Sequence, residues 1–176
     1  ADGETDGRAG AVSVFNGPEP LVVLAGDAEA ERRAVAEFIR AAIADGVAPE
    51  EIAVFVRTRE IMGRAREAVR AAGCTPFDLT LHKDGPPGEV RIGIMHLAKG
   101  LEFKAVAVIG CDEDQLPLRS RVEAVADEVE LDDVHATERH LFYVACTRAR
   151  DRVLVSGLRP GSEFLGDLSD RNSIGT

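Results

Sequence analysis

Tryptophan is absent from the 176 residues and tyrosine occurs once, at Tyr143, so any grip on nucleic-acid bases by aromatic stacking is expected to be minor. Cysteine is sparse: Cys74, Cys111 and Cys146 are too far apart for a disulfide framework or a Cys-x-x-Cys metal clip, and all three are expected to pack in the interior. His82, His135 and His140 share no ligand spacing with one another, and no bound metal is expected on this chain. No apolar run approaches the roughly 20 residues needed to cross a bilayer, and no basic-then-apolar leader is present. A soluble cytoplasmic protein without a membrane partner is the expectation. The sequence also lacks a Gly-x-x-x-x-Gly-Lys-Ser/Thr phosphate loop and an acidic metal-binding pair after an early strand. By itself the chain is not expected to hydrolyse a nucleoside triphosphate.

What is present is ordinary in bulk, with 45% apolar and 30% charged residues, enough for one core and one domain. The formal charge of −10 argues against broad, nonspecific affinity for nucleic acid, which depends on many Lys and Arg contacts. That charge is segregated. Acidic side chains crowd Asp112 to Asp133, and Arg139, Arg148, Arg150 and Arg152 follow directly. Any anion site must be local, and the acidic run reads as a solvated loop or helix face. The opening ADGETDGRAG is small, polar and aperiodic, which predicts a flexible leader over 1–18, a folded unit over 19–168 and a flexible tail over 169–176. The start at Ala1 fits a piece of a longer protein or simple removal of an initiator Met.

Apolar periodicity alternates between strand and helix. Leu21 to Ala25 reads as a strand, followed by Val35, Phe38, Ile39, Ala42 and Ile43 at helical spacing. Asp27 suits the N-cap, Glu29 and Glu31 the first turn, and Gly46 the stop. Ile52 to Val56 is a second strand, and Ile61 to Ala72 a second helix closed by Gly73. Further strands are expected at Val90 to Met95, Ala105 to Ile109 and Arg152 to Ser156, with a helix from about Val134 to Arg148. Near-continuous apolar strands separated by helices predict an α/β fold: a mostly parallel sheet with helices on both faces.

Two blocks carry chemistry. The loop His96-Leu97-Ala98-Lys99-Gly100-Leu101-Glu102-Phe103 directly follows a strand, so it is expected beyond the carboxyl ends of the sheet, where ligands gather in open α/β folds. An imidazole and an ammonium at His96 and Lys99 suit phosphate oxygens, Glu102 suits sugar hydroxyls, and Gly100 permits close backbone approach. Taken alone, these residues fit an ordinary solvated loop better than a ligand site. In the second block Arg148 follows Ala145-Cys146-Thr147 near a helix end. Its guanidinium is permanently charged and matched to phosphate, but taken by itself such an arginine is more often a partner for the helix C-terminal dipole.

Together the two blocks resemble motif V (His96 to Phe103) and motif VI (Glu138 to Ala149) of UvrD/Rep-type superfamily 1 helicases. The strand and turn Ile52 to Arg59 is similar to the motif IV region. The resemblance covers about residues 19–168 and implies a RecA-like, P-loop NTPase-like second lobe. It implies that Arg148 is an arginine finger for the γ-phosphate, that Glu102 contacts the ribose, and that Lys99 and Gly100 belong to the nucleotide site. It also implies that His96 and Arg57 touch single-stranded DNA. ATP and Mg2+ would then bind only with an N-terminal lobe that carries the P-loop. Lys99-Gly100-Leu101-Glu102 favours the UvrD side of the superfamily, which implies 3′-to-5′ movement.

Departures accompany the match. Ile94 stands where members usually carry a hydroxyl, Leu97 where a polar residue is common, and the Gly73 to Glu89 segment is too short for the extra lobe that larger relatives insert. Two functions follow for test: the C-terminal motor lobe of an ATP-dependent DNA helicase, or a free-standing RecA-like binding or regulatory module without catalysis.

Overall fold

A computed structural model describes residues 18–169. Residues 1–17 and 170–176, which hold nearly all of the expected leader and tail, lie outside the described residues. Six strands form one parallel sheet: β1 (Leu21–Ala25), β2 (Ile52–Val56), β3 (Thr75–Asp78), β4 (Glu89–Ile94), β5 (Phe103–Val108) and β6 (Ala149–Leu158). Their order is β1-β6-β5-β2-β4-β3. The register aligns Ile52 with Ala105 and Val56 with Ile94. β2 is buried along its whole length, as a central parallel strand covered on both faces must be.

Side-chain alternation divides the strands between two cores. Ile52, Val54, Ile92, Ala105 and Ala107 face one side, where α1 (Ala28–Ala44) and α2 (Met62–Ala71) bury Val35, Ile39, Ala42, Ala65 and Val69 against them. Ala53, Phe55, Val106, Val108 and Val153 face the other. There α4 (Glu128–Cys146) contributes Phe142, Ala145 and Cys146, and the C-terminal segment contributes Phe164, Leu165 and Leu168. A short α3 (Arg119–Glu123) precedes α4, and α5 (Gly166–Ser169) ends the described chain. The capping expectation holds: the Asp27 carboxylate accepts from the Ala30 amide at 2.8 Å, and Gly46 takes φ +95° after the helix. All three cysteines are free, with Cys111 and Cys146 buried and Cys74 partly so.

Three elements depart from the sequence reading. β3 contains Pro76 and only four residues, signals that argue against a strand, yet as the sheet's edge it can carry a proline without breaking a ladder on both sides. α4 begins at Glu128 rather than near Val134, because Asp127 caps it by accepting from the Glu130 amide at 2.9 Å. Glu128 and Glu130 therefore lie at the positive end of the helix, where their charge is favoured. β6 runs three residues earlier and two later than Arg152 to Ser156, since parallel partners on both sides extend its pairing.

Candidate functional site

The expected position of the motif V loop is half right. Met95–Leu97 form a single 3-10 turn at the carboxyl end of β4, which leaves His96 exposed at that edge. The chain then crosses the α4 face of the sheet, burying Met95 and Ala98, and enters β5 at Phe103. β5 is parallel to β2, so its first residue lies at the opposite, amino edge. The correction is that Glu102 does not sit beyond the carboxyl ends. With Ile94 level with Val56 and β5 starting below Ile52, residues 95–102 descend about six residues of strand, roughly 20 Å. The ligand rule for open sheets failed here because an extended crossover, not a helix, joins β4 to β5.

At the amino edge two motifs meet. The Phe103 amide donates to the Arg148 carbonyl at 2.9 Å, and Phe103 pairs in register with Ala149, so Glu102 and Arg148 are backbone neighbours, each one residue before an adjacent strand. Arg148 is half-buried and held by uncharged acceptors: its Nε donates to the Val144 carbonyl at 3.1 Å and its Nη2 to Thr147 Oγ1 at 3.2 Å. Thr147 is itself tied to the end of α4, donating from Oγ1 to the Val144 carbonyl at 3.0 Å and from its amide to the Tyr143 carbonyl at 2.9 Å. No carboxylate among the described residues pairs with Arg148, and Lys99 and Glu102 are exposed without ion pairs. Gly100 turns the chain with φ +82°, a conformation that favours glycine. A fixed guanidinium and an open carboxylate therefore share one edge, with an open ammonium on the crossover that leads to it, a set that fits phosphate on one side and a sugar diol on the other.

The carboxyl edge holds Arg57, which follows β2, beside His96, which follows β4. Arg57 is only 6% exposed and grips Glu138 of α4 with two bonds, Nε at 2.8 Å and Nη2 at 2.6 Å. Glu138 is fully buried and also accepts from Arg121 of α3 at 2.8 Å and from the Leu118 amide at 3.2 Å. Burial acts to raise its pKa, but the hydrogen bonds and charge of Arg57, helped by Arg121 and Leu118, outweigh that and lower it. Nearby His96 has its pKa depressed, first by burial and then by the positive charge of Arg57, with Arg121 adding to the effect and Glu138 opposing it. Burial and the Arg57 charge both disfavour the imidazolium and favour the neutral ring.

Glu138 was not among the site residues suggested by sequence, although its signal was present. It lies four residues before the buried Phe142 and seven before the buried Ala145, which places a carboxylate on the apolar stripe of α4. Glu31 repeats the pattern on α1 with Val35, Ile39 and Ala42. It is 2% exposed and accepts from the Gly110 amide at 3.1 Å and from Ser156 Oγ at 2.9 Å. Arg64 of α2 also bonds Glu31, and reaches Asp112 at 2.7 Å. Burial opposes the Arg64 charge, yet Asp112 and Glu31 together raise its pKa. This second network ties α1, α2, β6 and the end of β5 into one frame.

Against known proteins, residues 77–159, which span both motifs, match the family model of the UvrD-like helicase C-terminal domain. Residues 77–159 form a UvrD-like helicase C-terminal domain. The ATP-dependent DNA helicase UvrD1 of Mycobacterium tuberculosis is 36% identical over 92 residues, 46% of this chain and 11% of that protein. A probable DNA helicase II homolog of Mycoplasma pneumoniae is 38% identical over 68 residues, 39% of this chain and 9% of that protein. The chain thus spans about a tenth of the length of these relatives. The chain also superposes on the C-terminal domain of a possible DNA helicase from Lactobacillus plantarum WCFS1, with a TM-score of 0.63 at 22% identity, covering 90% of this chain and 87% of that one. That likeness shows the shared RecA-like fold of the C-terminal lobe.

Proposed function

We propose that the chain is the C-terminal motor lobe of an ATP-dependent DNA helicase that moves 3′-to-5′ along single-stranded DNA. The observation that carries this reading is the adjacency of Glu102 and Arg148 at the amino edge, fixed by the 2.9 Å bond from the Phe103 amide to the Arg148 carbonyl. In this reading ATP with Mg2+ supplies the phosphoryl group that is passed to water, bound between this edge and an N-terminal RecA-like lobe carrying the phosphate loop. Arg148, held by Val144 and Thr147, donates to the γ-phosphate and stabilises its charge as the bond breaks. Glu102 accepts from the ribose hydroxyls, and the Lys99-Gly100 turn lets the backbone and an ammonium approach the nucleotide. Among the described residues no cluster of three or more His, Cys, Asp or Glu could hold a metal ion, and the Mg2+ ligands are assigned to the other lobe.

His96 and Arg57 are assigned to the DNA side. A neutral imidazole at an exposed position donates one N–H to a phosphate or base, and Arg57 lies directly behind it. The two functions then occupy opposite ends of one sheet, about a strand length apart, and closure of the lobes around ATP is felt at the DNA edge through the rigid body between them. A lobe with no nucleotide edge would instead be a binding or regulatory module. Arg148→Ala decides between the two in a polypeptide that joins this lobe to its phosphate-loop partner. ATP turnover is expected to fall by roughly a thousandfold or more, about 4 kcal/mol of transition-state stabilisation, with the KM for ATP close to the parent's. Unchanged turnover rejects the motor assignment.

A further inference from the structure

Two connections cross the same face of the sheet from carboxyl edge to amino edge. One is the crossover that begins at His96 and ends at Glu102; the other is the C-terminal half of α4, which begins at Glu138 and delivers Arg148. The second is the stiffer. Glu138 to Arg148 spans about 15 Å at helical rise, and Arg148 is bonded to the last turn at both Nε and Nη2. At the far end, Glu138 is a fully buried carboxylate with four donor contacts, two of them from Arg57. Apolar packing of α4 needs no such group, since Phe142, Ala145 and Cys146 already seat it on the sheet.

We propose that Glu138 is a positioning residue that carries the state of the DNA-facing edge to Arg148 through α4, with Arg57 as its movable partner. The proposal rests on the nucleotide and DNA assignments above and adds how one reaches the other. Arg57 engages Glu138 through Nε and Nη2, which leaves Nη1 outside the fork, the group that a backbone phosphate would draw on. A phosphate drawing on the guanidinium weakens one arm of the fork. Glu138 then shifts toward Arg121 and the Leu118 amide, and α4 shifts with it, because a helix moves as a unit. Arg57 thus touches the strand only as the outer end of a relay, which fits its 6% exposure better than a primary grip on DNA.

Hydrogen–deuterium exchange with oligothymidylate as the probe tests this on the chain itself. In the parent, oligothymidylate is expected to slow exchange both around 94–98 and around 143–150; in Glu138→Gln, only the first segment responds. A response at 143–150 that survives in Glu138→Gln, or that is missing from the parent while 94–98 responds, overturns the relay and leaves the DNA assignment standing. No response at 94–98 in the parent overturns both. Arg57→Lys keeps both charges but removes the fork, and the same loss at 143–150 is expected if Glu138→Gln folds poorly. In the two-lobed polypeptide, Glu138→Gln is expected to lower DNA-stimulated ATP turnover about tenfold, within the usual range of intersite coupling. Its unstimulated turnover and DNA affinity are expected to stay within a factor of about three, well inside that coupling. A parallel fall of all three quantities assigns Glu138 a merely structural role.

Discussion

Replacing Glu31 by alanine tests whether buried charge, and not only apolar packing, fixes the frame that holds both edges. The carboxylate is 2% exposed and accepts from Arg64, the Gly110 amide and Ser156 Oγ, so its removal leaves the amide and the hydroxyl without this acceptor and takes one of two carboxylate partners from Arg64. Breaking a buried pair by deleting one partner costs about 3–5 kcal/mol. Arg64 keeps two bonds to Asp112, at 2.7 and 3.2 Å, which places the expected loss near the lower end, about 3 kcal/mol. For a chain of this size that is a fall in Tm of roughly 6–12 °C. Glu29 lies in the first turn of the same helix but is exposed, and Glu29→Ala should lose no more than its dipole contribution, under about 1 kcal/mol. Thermal unfolding followed by far-UV circular dichroism compares the two. Equal melting temperatures for Glu31→Ala and Glu29→Ala refute the reasoning, because they would mean that the buried network contributes nothing that solvent does not replace.

Two further outcomes are expected. His96 titrates below its ordinary value of 6.5 because the fold disfavours its cation; the stability it contributes is present above 6.5 and is lost as pH falls through the depressed value. An imidazole resonance titrating at or above 6.5 contradicts the proximity of Arg57. Gly157→Ala is expected to cost about 3 kcal/mol, since a Cβ there meets the backbone of Cys111, whose carbonyl carbon lies 2.7 Å away, whereas a Cβ at Gly26 has nothing within 4 Å and Gly26→Ala should be tolerated. Denaturant midpoints of the two variants provide the comparison.

Short apolar runs bounded by turn signals were legible as strands: β1 and β2 matched residue for residue, although only β2 is buried throughout and β1 is an edge strand with Leu21 and Leu24 exposed. β3 was not legible because edge pairing is decided by β4, a partner remote from its own four residues. The candidate site divided in the same way. Arg148 and Glu102 stood out through their motifs, and their adjacency follows from a register that no local pattern encodes. Arg57 stood out only through the resemblance to the motif IV region, and its engagement with Glu138 depends on a helix 81 residues away. The buried glutamates were readable in principle, as carboxylates on apolar helical stripes. Their partners were not, because each lies on a different element.

The central claim is that Arg148 and Glu102 complete a nucleotide pocket whose other half lies on a second lobe. A structure of the two-lobed polypeptide with a non-hydrolysable ATP analogue and Mg2+ tests it directly. The Arg148 guanidinium is expected within about 3 Å of a γ-phosphate oxygen, at ordinary charge-assisted hydrogen-bond length, and the Glu102 carboxylate against the ribose. A nucleotide bound with either side chain turned to solvent contradicts it.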